Sequence, residues 1–595
     1  WVGLGHRRLA VIDTSEQANQ PMWDESRRYA IVFNGEIFNY RALRKGLEDR
    51  GVVFRSHSDT EVLLQLFIRE KEKCLAKLNG FFSFCIYDKH DQSFFLARDR
   101  YGIKPLLFLH DEDKFIFASE MKSILQYGIT RTLDETSLLS FLQLNYIPAP
   151  DTIFREVKKL LPGHYMILAR RAVSIQPWYQ IPYDRAAARQ NTVSYDDAKN
   201  TLMSLLESAV QERLVADVPL GAFLSGGIDS SIITGLARRH KPDLHTFSIG
   251  FRDERFFDET YYANLVAKHF DTRHTVFSLT NTDLFEHVHS VLNYIDEPFA
   301  DSSAINVYIL SRETRKHATV ALSGDGADEL LGGYNKHEAL ARMLHPGWKE
   351  KAISALGPLW GLLPHSRNTR LSNLARQASR FAGGAALNGK ERYWHWAALA
   401  SMDDAMRLLD TEMQARIERA EFSARKERIL GNLTGDHDMN DILLADMRLV
   451  LPNDMLVKTD SMSMANGLEI RSPFLDYRLV DFAFSLPAHF KIEGRQRKRI
   501  LRDAFRDMLP PALYNRPKKG FEVPLLKWLR TEMRSTISDD LLSRKRIEEE
   551  KIFNYTEVER LKKKLFSNNP GDAHARVWAL VVFQWWYRKY GAVTG

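Results

Sequence analysis

The sequence predicts a protein of two domains, a layered α+β domain followed by an α/β domain built on a parallel sheet. The chain has 595 residues, which is too long for a single hydrophobic core. Short β-like runs broken by Gly, Asn and Asp turns fill residues 1–181, whereas apolar runs alternate with helical sequence in residues 197–595. Residues 182–196 are polar, lack periodicity and contain a proline, so we expect them to link the two domains.

The first domain is predicted to be rich in strands and to contain few helices. Helical spacing marks YRALRKGLEDRG (40–51) and DTEVLLQLFIRE (59–70). The opening segment, WVGLGHRRLAVID (1–13), reads as strand-like. The other predicted strands are YAIVFNGEIFNY (29–40), GFFSFCIYD (80–88), SFFLARD (93–99) and KFIFASE (114–120).

The second domain contains three candidates for buried parallel strands, because helical sequence follows each of them. Residues from about 340 to 595 are predicted to be mostly helical, and VWALVVFQWWYRKY (577–590) is predicted to be a buried helix. The three strand candidates are GAFLSGG (221–227), LHTFSIGF (244–251) and ATVALSGDGADE (318–329). Ligands bind at the carboxyl ends of such strands, so the loops that follow them are candidate sites.

The composition is that of an ordinary globular protein and argues against several classes of function. Apolar residues make up 44% and charged residues 27% of the chain, and 83 Lys and Arg against 76 Asp and Glu give a net charge of only +7. We therefore expect no nucleic-acid partner. No apolar run reaches the ~18 residues that a membrane span needs, so no membrane partner is expected. Two cysteines, Cys74 and Cys85, provide neither a disulfide framework nor a zinc pattern, which fits the cytoplasm.

The loop after the first candidate parallel strand, GAFLSGG (221–227), has the features of a phosphate site. It reads FLSGGIDSSIITGL from Phe223 to Leu236. Its glycines let backbone N–H groups approach an anion, and the N-terminus of the following helix adds partial positive charge. Because the loop has no lysine, it suits a pyrophosphate whose charge is offset elsewhere, and Asp229 suits a neighbouring Mg²⁺. The alternative is a glycine-rich turn with a helix-capping aspartate.

A second loop, LSGDGADELLGGY from Leu322 to Tyr334, also lies between an apolar strand and a helix. Asp325, Asp328 and Glu329 crowd carboxylates at the strand end, which is unfavourable unless a cation or a donor compensates. An acidic surface turn is the alternative. With both loops present, we predict that Asp229 and Asp328 share one Mg²⁺.

Further motifs follow in order: GLEIRSPFLDYRLVDFA (467–483), GRQRKRILRDAF (494–505) and NRPKKGFEVPL (515–525). The order SGGIDSS, SGDGADELLGGY, LEIRSPFLD and RPKKGF resembles that of the glutamine-dependent asparagine synthetases, over nearly the whole chain. The resemblance implies an αββα N-terminal-nucleophile hydrolase sandwich, then an adenine-nucleotide α-hydrolase-like domain with a parallel sheet and many helices. The loop that contains SGGIDSS also resembles the pyrophosphate loop of the ATP pyrophosphatases.

The resemblance implies roles for residues of the second domain, with ATP and Mg²⁺ as cofactors. Asp229 and Asp328 would bind Mg²⁺. Lys518 would stabilise the negative charge that develops on the oxygens of the α-phosphorus. Lys519 is adjacent and could be confused with it. The alternative for either lysine is a solvated charge on a loop. The family varies at Asp325, so that residue's role stays open. The ATP-binding residues would be Leu224, Ser225, Gly226, Gly227, Asp229, Ser230, Ser231, Ile249, Ser323 and Gly324.

The first domain resembles the glutaminase domain of class II amidotransferases, through GHRRLAVID, FNGEIFNY and SHSDTEV. Arg8 would clamp the α-carboxylate of glutamine, and Asp59 would hold its α-ammonium group. The Asn34 side chain and the Gly35 N–H would form an oxyanion hole. The alternatives are an Asn-Gly turn for Asn34 and Gly35 and a helix N-cap for Asp59.

The nucleophile of this family is an N-terminal cysteine, whereas the present chain begins at Trp1. We expect either that the chain lacks the first residues of a longer protein or that its glutaminase domain is inactive, as in β-lactam synthetases. The first explanation is favoured by the retention of Arg8, Asn34, Gly35 and Asp59, because an inactive domain has no need for a glutamine pocket. Neither Cys74 nor Cys85 is expected to replace the nucleophile, since both read as packing thiols.

The expected reaction is ATP-dependent amidation of aspartate to asparagine through a β-aspartyl-adenylate, with release of AMP and pyrophosphate. Ammonia would come from glutamine in the full-length chain and from free ammonium in the present one. The expected partners are therefore the small molecules aspartate, glutamine or ammonia, and ATP, and the family implies a homodimer. Three alternatives stay open: the same chemistry on a sugar acid or β-lactam precursor, a free-standing glutaminase, and a non-catalytic scaffold.

Overall fold

The computed structural model describes residues 1–253, 258–344, 346–360, 370–516 and 523–591. Three sheets account for all of the strands in these residues. The strands are β1 (Met22–Trp23), β2 (Tyr29–Ile37), β3 (Gly80–Asp88), β4 (Ser93–Arg98), β5 (Leu107–His110), β6 (Phe115–Ala118), β7 (Val157–Lys159), β8 (His164–Ala169), β9 (Ala172–Pro177), β10 (Leu220–Phe223), β11 (His245–Phe251), β12 (Arg273–Leu279), β13 (Val320–Leu322) and β14 (Glu469–Arg471).

Helices dominate the second half of the chain. The helices that precede β13 in the chain are α1 (Tyr40–Glu48), α2 (Asp59–Glu70), α3 (Met121–Leu125), α4 (Glu135–Leu144), α5 (Arg185–Gln190), α6 (Tyr195–Arg213), α7 (Ile228–His240), α8 (Thr260–His269), α9 (Asn281–Glu286), α10 (Val288–Tyr294) and α11 (Ala304–Arg315).

The later helices begin just before the region that the sequence predicted to be mostly helical, from about residue 340, and continue through it. They are α12 (Ala327–Leu331), α13 (Asn335–Leu344), α14 (Trp348–Ala355), α15 (Gly357–Trp360), α16 (Arg370–Ala385), α17 (Gly389–Ala397), α18 (Met402–Leu408), α19 (Thr411–Arg416), α20 (Arg419–Leu430), α21 (Met439–Arg448), α22 (Leu456–Met464), α23 (Tyr477–Ser485), α24 (Ala488–Lys491), α25 (Arg499–Ala504), α26 (Leu525–Arg530), α27 (Arg544–Glu550), α28 (Tyr555–Phe566) and α29 (Ala573–Tyr590).

The first domain is a four-layer sandwich, as the resemblance implied. A six-stranded antiparallel sheet (order β1-β2-β3-β4-β8-β9) faces a three-stranded one (β6-β5-β7). Alternate side chains of β2 point to opposite faces: Ile31 and Phe33 join the core under α1 and α2, whereas Val32 joins a separate core between the two sheets. Helices α3 and α4 cover the outer face of the smaller sheet. The resulting order of layers is αββα.

The second domain is built on a five-stranded parallel sheet of order β12-β11-β10-β13-β14. Strands β10, β11 and β12 follow one another in one direction, and the chain then crosses back to place β13 on the other side of β10. The sheet therefore has its topological switch point between β10 and β13, where ligands of open parallel sheets bind.

Three local expectations differ from the structure. Residues 1–13, which read as strand-like, form no strand, because no described strand pairs with them. The segment 182–196 contains the short helix α5, which Asp184 caps. Strands β12 and β14 were not expected: β12 is a partly exposed edge strand, and β14 is only three residues long within helical sequence.

The strongest helical expectation is confirmed. Helix α29 buries eleven of its side chains, and ten of them belong to the largest hydrophobic core, to which both domains contribute. Among the helices of the described residues, none combines the length and the apolarity that a bilayer crossing requires.

Candidate active sites in the two domains

The two loops singled out in the sequence lie side by side at the switch point of the parallel sheet. Strands β10 and β13 pair in register, with Ala222 beside Leu322, so the loops that follow them leave the sheet together. Gly324 shows how closely they approach, since a Cβ atom there would lie 3.0 Å from the Cβ of Asp229. The loops thus form one surface rather than two separate turns.

The first loop, residues 224–231, has the backbone of an anion site. Gly226 has φ +68°, and a Cβ there would lie 2.6 Å from the backbone of Tyr262, so only glycine fits. Gly227 is the N-cap of α7 and donates its N–H to Ser225 Oγ at 3.2 Å. The Ser225 and Ser230 hydroxyls lie 3.0 Å apart. This backbone, the two hydroxyls and the N-terminus of a 13-residue helix are the features that a site for phosphate oxygens would need.

The remaining predicted nucleotide contacts lie along the same edge. Leu224 and Ile249 are buried, so their side chains are not available to a ligand. Ser231 is fully buried in α7 and points into the domain, away from solvent. Ser323 donates its N–H to the carbonyl of Arg471 at 2.9 Å, which fixes the start of the second loop against β14.

Asp229 and Asp328 converge on a single cation, the ammonium group of Lys498. Its Nζ lies 2.6 Å from Asp229 Oδ2 and 2.5 Å from Asp328 Oδ1. Lys498 is 6% exposed and precedes α25 in a left-handed conformation, with φ +51°. Burial alone would lower the pKa of Lys498, but the two carboxylates together raise it above its ordinary value. A charged lysine therefore neutralises part of the carboxylate pair.

Gly333 makes this arrangement possible. A Cβ atom on Gly333 would lie 1.7 Å from Asp328 Oδ1 and 2.1 Å from Lys498 Cε. No side chain fits at that position unless the carboxylate and the lysine separate. The second glycine of the GGY sequence is thus required by the site itself.

The carboxylate pair fits the coordination preference of Mg²⁺. Asp229 Oδ1 is buried and has no hydrogen-bond partner among the described residues, which leaves one oxygen oriented for a further cation. In nucleotide sites Mg²⁺ takes one or two protein carboxylates and completes its shell with phosphate oxygens and water. The described residues contain no group of three or more metal-ligating side chains, so the protein would supply only the pair.

The other two acidic side chains of the second loop turn away from this pair. Asp325 accepts a hydrogen bond from the Ser323 hydroxyl at 2.7 Å and a longer one, 3.3 Å, from Thr459. Glu329 is fully buried and accepts a hydrogen bond from the Tyr334 hydroxyl. Burial, followed by repulsion from Asp328, raises the pKa of Glu329 to about 7. The expected crowding of carboxylates is therefore relieved by separate partners.

The RPKKGF motif is described only at its start. Lys518 and Lys519 lie outside the described residues. Arg516, which precedes them, donates to the carbonyl of Gly226 at 2.6 Å and pairs with Glu259. This contact joins the start of the motif to the first loop of the nucleotide site.

Sequence reasoning missed Lys498, although it quoted the segment that contains it. The run GRQRKRILRDAF carries five basic residues, and nothing local separates the buried one from its exposed neighbours. The only available signal is that Lys498 lies two residues before an apolar pair, Ile500 and Leu501, whose burial brings the start of the helix inward.

The first domain contains a pocket that brings together all of its predicted residues. The residues that line it are His6, Arg7, Arg8, Leu9, Val11, Ile12, Gln20, Phe33, Asn34, Gly35, Glu36, Asp59, Thr60, Lys104, Met464 and Glu469. Met464 and Glu469 come from the second domain, which sequence reasoning did not foresee. The candidate glutamine pocket is therefore closed in part by the other domain.

Asn34 and Gly35 lie inside strand β2 and not in a turn, since they pair with Ser83 and Phe82 of β3. Gly35 has φ +144°, and a Cβ atom would lie 2.0 Å from the carbonyl oxygen of Phe81. The Asn34 amide donates to the Ser119 hydroxyl at 3.2 Å. A glycine forced into this conformation and an oriented amide are the parts that an oxyanion hole requires.

Arg8 and Asp59 occupy the wall of the same pocket. The Arg8 guanidinium is held by the carbonyls of Ile12 and Asp13, at 2.7 and 2.5 Å from Nη2. Asp59 is the first residue of α2, whose N-cap is Ser58, and it accepts a hydrogen bond from the Ile37 N–H at 2.9 Å. Burial raises the pKa of Asp59 to about 6. The helix-cap alternative for Asp59 is therefore excluded.

Both cysteines are unsuited to nucleophilic attack. Cys74 and Cys85 are free and fully buried. Burial, helped by nearby carboxylates, raises the pKa of Cys74 to about 12, and burial raises the pKa of Cys85 well above its ordinary value. Thiols that remain protonated and inaccessible are not reactive.

Comparisons with known proteins find relatives of both domains. The asparagine synthase family model matches residues 201–588, and the glutamine amidotransferase domain model matches residues 1–179. Asparagine synthetase [glutamine-hydrolyzing] 1 of Bacillus subtilis (strain 168) is 31% identical, over 98% of this chain and 89% of that protein. A putative asparagine synthetase of Mycobacterium tuberculosis (strain H37Rv) is 33% identical, over 89% of this chain and 80% of that protein.

A third relative, asparagine synthetase [glutamine-hydrolyzing] 3 of Bacillus subtilis (strain 168), is 29% identical over 92% of this chain and 86% of that protein. The matches thus extend through both domains and include both candidate sites. The chain belongs to the asparagine synthase family of glutamine-hydrolysing, ATP-dependent carbon–nitrogen ligases.

Proposed function

We propose that the chain converts aspartate to asparagine by adenylating the side-chain carboxylate and then transferring ammonia to it. The observation that carries this proposal is the convergence of Asp229 and Asp328, from two loops at the sheet's switch point, on one buried ammonium group. Membership of the asparagine synthase family supports the choice of ATP and of an amidation reaction.

The first step makes a poor electrophile reactive. A carboxylate oxygen attacks the α-phosphorus of ATP, the bond from that phosphorus to the bridging oxygen breaks, and pyrophosphate leaves. The N–H groups of the first loop and the N-terminus of α7 would hold the pyrophosphate oxygens. A Mg²⁺ held by Asp229 and Asp328 would supply positive charge to the phosphates.

The second step forms the amide. The lone pair of ammonia attacks the acyl carbon, the bond from that carbon to the AMP oxygen breaks, and the nitrogen loses one proton. Negative charge builds up on the oxygens of the α-phosphate in the first step, and the departing AMP carries it in the second. A fixed cation beside these oxygens therefore lowers both barriers. We propose that Lys498 supplies that cation, and that Lys518 approaches the adenylate from the adjoining motif.

Glutamine is the proposed source of ammonia when an N-terminal cysteine precedes the pocket of the first domain. There, Arg8 would bind the α-carboxylate, Asp59 the α-ammonium group, and Asn34 with Gly35 the developing oxyanion. Since both cysteines of residues 1–595 are buried, the chain as given would use free ammonium instead.

Release of pyrophosphate from ATP, with aspartate and an ammonium salt, tests the proposal. Asp229→Ala is expected to abolish release, because it removes a metal ligand and part of the ammonium partner. Asp196→Ala is the matched control, since Asp196 is 83% exposed on α6, and it is expected to leave the rate unchanged. Unchanged turnover in Asp229→Ala would refute the proposal. Faster release with a sugar uronate than with aspartate would assign another acid.

A further inference from the structure

Arg471 lies at the end of β14 and contacts both domains. Its side chain is fully buried. Nε donates to Glu469 Oε1 at 2.7 Å, and Nη1 donates to the carbonyls of Arg213 and Val215 at 2.9 and 2.6 Å. Three of the five guanidinium hydrogens are thereby oriented by the second domain, and Nη2 is directed at the first domain.

The group that faces Nη2 is the carboxylate of Glu36, at 3.7 Å from Oε2. Among the described residues, neither Arg471 Nη2 nor Glu36 Oε2 has a hydrogen-bond partner, although both atoms are buried. The separation is about 0.9 Å longer than a charge-assisted hydrogen bond of ~2.8 Å. A buried guanidinium group and a buried carboxyl group thus face each other without a hydrogen bond, and a small displacement would join them.

Glu36 belongs to the glutamine pocket of the first domain. It follows Gly35 in β2, it is 5% exposed, and it lines the same pocket as Asp59. Because β2 also carries Asn34, a force on the Glu36 side chain acts on the strand that positions both donors of the proposed oxyanion hole.

The backbone of Arg471 belongs to the nucleotide site of the second domain. Its carbonyl accepts the N–H of Ser323 at 2.9 Å, and Arg471 pairs with Leu322 in the parallel ladder between β13 and β14. A nucleotide bound on the second loop would contact Ser323 and Gly324, so it would act on the residue to which Arg471 is hydrogen-bonded.

We propose that Arg471 is a positioning residue that couples nucleotide binding in the second domain to glutamine binding in the first, through its contact with Glu36. This inference rests on the proposed function, which supplies the two ligands. Nucleotide on the second loop favours the closed ion pair between Arg471 and Glu36, and the closed pair fixes β2 for glutamine. By linkage, each ligand changes the affinity of the other by the same factor.

Arg213 provides a matched control, because it is an arginine of the same interface with different contacts. It is also fully buried and lies over the rings of Phe38 and Phe81, but its side chain pairs with Asp476. Among the described residues, no hydrogen bond or ion pair joins the Arg213 guanidinium to Glu36 or to the second loop. A general loosening of the interface would affect substitutions of both arginines alike.

The experiment measures the Kd of glutamine by titration calorimetry, with and without a saturating Mg²⁺ complex of an ATP analogue whose α,β-bridge is a methylene group. The unsubstituted chain is expected to show at least a fivefold change in Kd, within the range typical of coupled sites. Arg471→Lys and Glu36→Gln are each expected to reduce the change below twofold. Arg213→Lys is expected to retain the full change. The Kd of the analogue is expected to respond to glutamine by the same factor.

Several results would overturn the inference. They are a change below twofold in the unsubstituted chain, a full change in the two test variants, or an equal loss in Arg213→Lys. If Arg471→Lys fails to fold, as judged by its thermal transition, Glu36→Gln decides alone. Ammonium-dependent pyrophosphate release is measured in parallel: release without coupling refutes only the role of Arg471, whereas failure to bind the analogue refutes the proposed function as well.

Discussion

Lys498 holds the two carboxylates that are proposed to bind Mg²⁺, so its removal should have opposite effects on metal binding and on turnover. The perturbation is Lys498→Met, which keeps the length of the side chain and removes its charge. Without nucleotide, Mg²⁺ and the ammonium group would compete for Asp229 and Asp328. The substitution should therefore tighten Mg²⁺ binding while it slows the reaction.

The distances set the size of both effects. At 2.6 and 2.5 Å, each contact is worth about 6 kcal/mol of gross attraction at an effective dielectric constant of ~20. Desolvation offsets most of this, and the loss of one member of a buried ion pair costs about 3–5 kcal/mol. A gain in Mg²⁺ affinity of tenfold or more needs only about 1.4 kcal/mol of that energy. Loss of one fixed charge facing the transition state slows turnover by about 10²–10³.

Two assays measure these effects in the same preparation: Mg²⁺ titration without nucleotide, and ammonium-dependent pyrophosphate release. Lys562→Met is the matched control. Lys562 lies in α28, is 7% exposed and donates to the carbonyl of Leu542, and in the sequence it is far from the two loops. It is expected to change stability without a change in Mg²⁺ affinity. Mg²⁺ affinity no greater than that of the unsubstituted chain, or turnover within tenfold of it, would refute the reasoning for Lys498.

Three further predictions follow from the described contacts. Gly333→Ala should reduce pyrophosphate release more than 100-fold, because its Cβ would lie 1.7 Å from Asp328 Oδ1. Gly435→Ala is the control and should not reduce release, because no atom lies within 4 Å of the added Cβ. Equal rates in the two variants would contradict the steric argument. The pKa of Asp59, raised by burial to about 6, means that its carboxylate is present above that pH, so the Kd of glutamine should rise about tenfold per pH unit below it. Asp59→Asn should abolish this pH dependence in calorimetry, and a dependence that persists would assign it elsewhere. A disulfide reagent should label no thiol in the native chain and two after unfolding, since both cysteines are fully buried; native labelling would show that burial is wrong.

The parts of the fold that could be predicted from the sequence are those specified locally. Strand β3 has the bounds of its apolar run, and helices α1 and α2 follow their spacing closely. The loops after β10 and β13 were identified because glycine and aspartate directly after an apolar run are a local signal. Their proximity followed from a general property of parallel sheets.

The parts that could not be predicted depend on contacts between distant residues. Lys498 lies 269 residues from Asp229, and its burial is decided by the packing of α25. Met464 and Glu469 complete a pocket of the other domain, which no local pattern records. Residues 1–13 have strand-like alternation but no pairing strand among the described ones, and alternation alone does not form a sheet.

The nature of the activated acid is the central claim, and isotope transfer tests it most directly. The chain is incubated with ATP, Mg²⁺, ammonium and aspartate labelled with ¹⁸O in its side-chain carboxylate, and the AMP is analysed by mass spectrometry. Attack of the carboxylate on the α-phosphorus predicts one ¹⁸O atom in each AMP formed. Unlabelled AMP, or ¹⁸O in inorganic phosphate together with ADP, would contradict adenylation at the site between the two loops.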